Sequence, residues 1–285
     1  MELERYGRLI DSLGERYYLE RSLGSGGMAD VCLAWDEQEE RAVAIKVIKQ
    51  DQLDQRTLDR FMREAARIAS WRHPNILRIY SDFQLELLDA ELGSVIPYIV
   101  MEYAEGGDLQ RRLRPGQPWP LPDCLRVFEQ LCSAVAYAHR RGVIHRDLKP
   151  LNILFRPLPD GSEQVVLSDF GLAISTEASH ITFARGGTPH YMAPEQFRGV
   201  VLPACDIFAL GVILYQLCTG RRPFQRTVSD LLPDADYVPP TPPSSLNPQL
   251  PPALDAVLLC ALAEDPDERF ASADLFWQAV RAACT

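Results

Sequence analysis

The chain has 285 residues, enough for one large domain or two smaller ones around a sizeable core. Its 29 lysines and arginines face 39 aspartates and glutamates, and a net charge of −10 argues against nucleic acid or an anionic membrane surface as a partner. Seven scattered cysteines, never spaced Cys-x-x-Cys, read as buried thiols in a reducing compartment rather than as metal ligands or disulfides.

The first residues, Met1-Glu2-Leu3-Glu4-Arg5-Tyr6, carry charge where a secretory signal needs an apolar stretch. The longest apolar run, Ile207 to Cys218, is too short to cross a bilayer and is expected as a buried helix. A soluble, cytoplasmic chain without a membrane span follows as the expectation.

In chain order, residues 17–48 alternate like strands around the turn Gly24-Ser25-Gly26-Gly27 and end in Arg41-Ala-Val-Ala-Ile-Lys-Val-Ile48. Leu58, Phe61, Met62, Ala65, Ile68 and Ala69 recur at helical spacing, which predicts an amphipathic helix over residues 54–70. Two more strand-like segments follow His73-Pro74-Asn75, the second being Tyr98-Ile99-Val100-Met101. The first hundred residues thus read as a strand-rich lobe carrying one helix.

Glu105-Gly106-Gly107 marks a flexible join, beyond which helical periods dominate. Helices are expected over Asp123–Arg141, Ala204–Thr219 and Ser272–Ala283, the first two stopped by Gly142 and Gly220. Residues 233–252 hold eight prolines and read as a surface connection between helices. The stretches Phe83–Pro97 and Arg156–Gln164 are expected as extended hairpins. Two lobes with a cleft at the join is the implied architecture.

The chemistry concentrates in His145-Arg146-Asp147-Leu148-Lys149-Pro150-Leu151-Asn152 and in Asp169-Phe170-Gly171. Phosphoryl transfer from a metal-bound nucleotide needs one group to orient the attacking hydroxyl, oxygen ligands for metal, and cations to offset charge. Each of these residues alone would be an ordinary surface polar group, but the joint spacing is a poor match to chance. Lys46 sits within an apolar strand, and Glu64, eighteen residues on, is its candidate partner. The glycine turn lets backbone N–H groups approach phosphate oxygens, although a plain hairpin would explain it equally well. It is not a Walker-type loop, since no Gly-Lys-Ser/Thr follows.

These segments, with Gly187-Thr188-Pro189-His190-Tyr191-Met192-Ala193-Pro194-Glu195 further on, resemble the catalytic domain of eukaryotic-type (Hanks-type) serine/threonine protein kinases, in its bacterial form. The resemblance runs from about Tyr17 to Ala279 with the motifs in the family's order. It implies an α+β, two-lobed protein kinase fold: a small antiparallel sheet with one helix over residues 17–101, a mainly helical lobe over 102–280, and an extension over 1–16. It implies transfer of the γ-phosphate of ATP to Ser/Thr hydroxyls of protein substrates, with Mg²⁺ (or Mn²⁺) as the ion.

By the same correspondence Asp147 is the base or orienting group, Lys149 steadies the transferring phosphate, and Asn152 and Asp169 bind metal. Lys46, paired to Glu64, positions the phosphates under Gly24, Ser25, Gly26 and Gly27. Val31, Ala44 and Leu154 enclose the adenine, Met101 stands at its edge, and the backbone of Glu102 and Ala104 bonds it. Asp108 contacts the ribose or caps the helical turn at Leu109, or does both. Ile68, Ile79, His145 and Phe170 stack, Glu195 pairs with Arg269, and Asp206 anchors the catalytic loop, although a plain helix-start cap would explain that aspartate alone.

Phosphorylation of Thr182, met by Arg146, is the expected activation, with dimerisation as the route to autophosphorylation. Ala29 departs from the third glycine of the family's loop. Leu151 stands where kinases directed to basic residues carry Glu, so the preference for arginine upstream of the target is not carried over. A scaffold without catalysis would require loss of Lys46, Asp147, Asn152 or Asp169, all present. A small-molecule phosphotransferase would generally lack the Ala-Pro-Glu closure, also present.

Overall fold

The computed structural model describes residues 16–26, 29–49, 65–80, 84–89, 94–170, 190–224 and 237–285. They fall into two compact units, one running to Arg72 and taking up Leu77–Tyr103, the other holding His73–Ile76 and Ala104–Thr285.

The first unit is built on strands β1 (Tyr17–Ser25), β2 (Ala29–Asp36), β3 (Arg41–Ile48), β4 (Gln84–Asp89) and β5 (Ser94–Glu102). They form one antiparallel sheet in the order β1-β2-β3-β5-β4. Alternation decides its faces. Tyr17, Ala34, Val43, Ile45, Val47, Tyr98 and Val100 form a buried cluster. The cross-strand pairs Val31↔Lys46, Leu33↔Ala44, Ala44↔Met101 and Lys46↔Ile99 put the alternate residues on the opposite face. Residues 65–69 are helical, with Ala65, Ile68 and Ala69 buried, in agreement with the predicted stripe; Leu58, Phe61 and Met62 lie outside the described residues. The turn after β2 is held by Asp36, buried, which accepts two bonds of 3.0 Å from Arg16 and backbone N–H bonds from Gln38 and Glu39.

The second unit carries the hairpin β6 (Ile153–Pro157) and β7 (Glu163–Leu167), so the Arg156–Gln164 stretch is a hairpin as expected, and β4–β5 likewise. Helix α1 (Leu121–His139) buries Val127, Phe128, Leu131 and Val135. Helix α2 (Pro194–Phe197) is a single turn, and α3 (Pro203–Thr219) has fourteen of its seventeen residues buried, which makes it the axis of the unit. The Ile207–Cys218 run is therefore core.

Then come α4 (Pro243–Leu246), α5 (Ala253–Ala261) and α6 (Ala273–Ala283), the last capped by Ser272. Phe276 of α6 packs edge-on against Phe128 at 4.9 Å and stacks on Phe270 at 4.8 Å. In the described part of the proline-rich connection, residues 237–242 form neither helix nor strand, and α4 begins at Pro243, because proline at the first helical position lacks only an N–H that has no partner there. The described residues contain no helix long and apolar enough to cross a membrane, and all seven cysteines are free, five of them buried.

Candidate active site

In the second unit, the segment His145–Asn152 is fixed from three directions. Asp206, on the first turn of α3 and 1 % exposed, accepts from the backbone N–H of His145 (2.8 Å) and of Arg146 (3.0 Å), and contacts His139 Nε2 at 2.7 Å. The expected anchor is thus present, and its action through two backbone donors outweighs any role as a helix cap. The His145 ring, fully buried, accepts from Asp147 N–H at Nδ1 (3.3 Å) and donates from Nε2 to the Ser168 carbonyl (2.8 Å). Both ring nitrogens are committed, so His145 packs and orients rather than transferring protons. Its ring lies 4.7 Å from that of Phe170, which gives half of the expected stack; Ile68 and Ile79 are buried in the first unit. Gln196 Nε2 donates to the Arg146 carbonyl at 3.1 Å.

Arg146 and Asp169 both adopt left-handed backbone, φ 71° and 62°. Non-glycine residues rarely sit there, and such conformations persist where surrounding bonds over-determine them. At Arg146 those bonds are the ones from Asp206 and Gln196.

The carboxylate of Asp147 is part-exposed and accepts from Lys149 Nζ at 2.7 Å and from Asn152 Nδ2 at 3.2 Å. Asn152 Nδ2 also donates to the Asp147 carbonyl at 2.8 Å, so the amide's nitrogen end is committed and its oxygen is the end left to a cation. Ser168 N–H and Oγ both donate to the Asn152 carbonyl (2.9 and 3.1 Å), which ties the residue before Asp169 to this loop. Asp147, Lys149 and Asn152 are therefore brought together, with Asp169 next in chain to a residue bonded to them.

Asp108 accepts from Arg111 N–H at 3.0 Å and so caps the short turn at Leu109, as one of its two expected roles required. Its backbone bridges to Leu154. The Glu105-Gly106-Gly107 segment was expected to be a flexible join; instead it is pinned. Gly106 N–H donates to the Phe155 carbonyl and Phe155 N–H to the Gly107 carbonyl, both at 2.9 Å. A Cβ on Gly106 would lie 2.6 Å from the Phe155 oxygen, so close backbone approach, not freedom, selects this glycine. Arg112 adds a clamp that sequence reasoning missed: bonds of 2.6 and 2.7 Å to Glu163, one of 2.6 Å to the Gly106 carbonyl, and its guanidinium 3.7 Å over the Phe155 ring. The Arg112 hydrogen bond holds the Glu163 carboxyl below its ordinary range.

In the first unit, Lys46 shares a sheet face with Val31, Ala44 and Met101; Glu64 and Gly27 lie outside the described residues. Gly24 and Ser25 close β1 opposite Val31 and Asp30. Glu102 N–H donates to the Arg78 carbonyl at 2.8 Å, so any bond from Glu102 to a base runs through its carbonyl. Ala104, in the second unit, is buried.

The expected Glu195–Arg269 bridge is present and bidentate, at 2.6 and 2.9 Å. Arg269 also donates to the carbonyls of Ala263, Ala204 and Glu264, which satisfies all five of its N–H groups. Cys205 Sγ donates to Glu195 Oε1 at 3.2 Å, and burial pushes that thiol well up.

An antiparallel sheet unit, a helical unit, and a loop that gathers Asp147, Lys149 and Asn152 are the described parts of a protein kinase domain. Residues 17–279 match the protein kinase domain model, and the chain belongs to that family. It is 38 % identical over 267 residues to the serine/threonine-protein kinase PrkC of Bacillus subtilis, covering 91 % of this chain and 39 % of that protein. It is 36 % identical to the serine/threonine-protein kinase PknB of Mycobacterium tuberculosis, over 92 % of this chain and 42 % of the relative. The chain thus spans about two-fifths of the length of these relatives. Among solved structures, the Mycobacterium tuberculosis PknI kinase domain is similar with a TM-score of 0.72 and 28 % identity, covering 94 % of this chain and 96 % of the other.

Proposed function

We propose that this chain transfers the γ-phosphate of ATP to serine and threonine hydroxyls of protein substrates. The observation that carries the reading is the loop at Asp147: a part-exposed carboxylate with an ammonium on one oxygen, on a backbone that two Asp206 bonds fix. Asp147 accepts the hydrogen bond of an incoming hydroxyl and orients its oxygen for attack. Lys149, already 2.7 Å from that carboxylate, supplies positive charge where the transferring group becomes more anionic.

The Asn152 amide oxygen and the Asp169 carboxylate are hard oxygen donors, the type that suits Mg²⁺ or Mn²⁺. When bound, such an ion neutralises phosphate charge and holds phosphate oxygens in place. For the nucleotide we assign Gly24, Ser25, Gly26, Gly27, Val31, Ala44, Lys46 with Glu64, Met101 and Glu102 in the first unit, and Ala104, Asp108 and Leu154 in the second. We also propose activation by phosphorylation at Thr182, which lies outside the described residues. Supporting it, Arg146 Nε is buried and without a hydrogen-bond partner among them, as a guanidinium awaiting an anion would be.

Labelled ATP with Mg²⁺, a generic protein acceptor and small alcohols tests the reading. Phosphate should enter Ser/Thr of the protein and not the alcohols, and Asp147→Asn should lower the rate by about 10²–10⁴-fold. Protein labelling that survives Asp147→Asn unchanged would refute it, and phosphopeptide mapping of active protein must find phosphate on Thr182.

A further inference from the structure

Lys49 lies three residues beyond Lys46, just past the end of β3, and the chemistry above gives it no role. Its ammonium is engaged at the base of the glycine turn by two hydrogen bonds and one ion pair. Nζ lies 2.9 Å from Asp30 Oδ1, 2.7 Å from the Gly26 carbonyl and 3.3 Å from Ser25 Oγ. Ser25 Oγ in turn donates to Asp30 Oδ1 at 2.6 Å, and Gly26 N–H donates to the Ala29 carbonyl at 2.8 Å. Ser25 and Asp30 are directly paired across β1 and β2, so one cation from β3 ties both arms of the turn and its first backbone carbonyl together.

A turn rich in glycine has many backbone states to lose, and holding it in one conformation before a ligand arrives removes that cost from binding. We infer that Lys49 is a positioning residue for nucleotide binding: with Asp30 and Ser25 it latches the two arms at the base of the glycine turn, Gly24–Gly26 and Ala29–Asp30, so that these arms meet the triphosphate already in place. The inference rests on the proposed kinase reading and adds to it a residue that does not touch the nucleotide. The latch lies within one sheet and involves part-shielded groups, with the Asp30 side chain 16 % and the Lys49 side chain 29 % exposed, so it operates at ordinary ionic strength.

The test uses the full chain, with direct binding of a fluorescent ATP analogue and steady-state kinetics on a protein acceptor. Lys49→Ala should weaken nucleotide affinity and raise KM for ATP by about tenfold, with kcat within about twofold. Lys49→Arg, which keeps a multiply donating cation, should recover most of the loss. Asp30→Asn should also weaken binding, and the double variant should be no worse than the weaker single, because both act through one unit. A lysine that contacted phosphate directly would behave otherwise: removing the Asp30 charge would then tighten binding, and that result overturns the inference. So does a Lys49→Ala variant with unchanged KM, or a loss confined to kcat. If the unaltered chain binds nucleotide and labels protein while Lys49→Ala matches it, only the latch fails. If the unaltered chain binds no nucleotide, the kinase reading fails first and the latch with it.

Discussion

Removing the Arg269 guanidinium would leave the Glu195 carboxylate buried, with the Cys205 thiol as its remaining side-chain partner among the described residues. Arg269 has a side chain with no exposed surface and Glu195 one with 8 %, so water cannot replace the lost bonds without opening the core. Breaking one side of a buried pair costs about 3–5 kcal/mol, because the surviving charge is desolvated and uncompensated. Three backbone carbonyls, of Ala263, Ala204 and Glu264, lose their donor in the same step, and Phe208 loses a cation 4.9 Å from its ring centre. Arg269→Ala should therefore destabilise by roughly 4 kcal/mol, a large share of a typical domain's 5–15 kcal/mol, and lower Tm by about 10 °C. Urea and thermal unfolding of the purified chain measure this. Glu195→Gln added to Arg269→Ala should recover part of the loss, since the orphaned charge is then gone. A single variant within about 1 kcal/mol of the parent, or a double variant whose losses simply add, would refute the assignment of the energy to a desolvated ion pair.

Asp206→Ala strips the acceptor from two backbone N–H groups and from His139, and should cost about 2–4 kcal/mol while lowering phosphoryl transfer more than nucleotide binding; kinetics beside unfolding curves separate the two. Gly106→Ala drives a methyl to 2.6 Å from the Phe155 carbonyl and should destabilise by about 1–3 kcal/mol. Gly107→Ala meets nothing within 4 Å and should lose only the backbone cost of its φ of 72°, about 1–2 kcal/mol, as paired unfolding curves will show. The carboxyls of Glu163, through its Arg112 bond, and of Asp36, where burial pushes upward but the Arg16 bond and charge together with the Gln38 and Glu39 N–H bonds outweigh it, sit below their ordinary values of 4.5 and 3.8. Groups depressed on folding stabilise above those values, so stability should decline as pH falls through 4.5 and below, and Arg112→Gln should flatten the upper part of that decline in a pH series of Tm.

How much of this was legible in the sequence depended on the range of the interaction. The helix period placed α1, α3 and α6 to within about two residues. The spacing within 145–152 brought Asp147, Lys149 and Asn152 together because a short loop leaves them few other arrangements. Helix α5 was overlooked although Leu254, Leu258 and Ala261 repeat at helical intervals, since flanking prolines masked the period. The Arg112–Glu163 clamp spans 51 residues and the Lys49 latch reaches back 23 to Gly26, and no local pattern announces either. The Gly106-Gly107 pair misled for a related reason: glycine is chosen both where a chain must move and where another backbone must come close, and only the neighbour at Phe155 distinguishes the two.

The octapeptide 145–152 has a consequence for anyone wishing to transplant it. Its left-handed residue, Arg146, is an arginine held in that conformation by a carboxylate sixty positions downstream and an amide fifty positions downstream. Cut free of Asp206 and Gln196, the same eight residues would relax toward right-handed or extended backbone and scatter their polar groups. A graft onto another scaffold must therefore carry those two distant supports along with the motif, or it will move the letters without the shape.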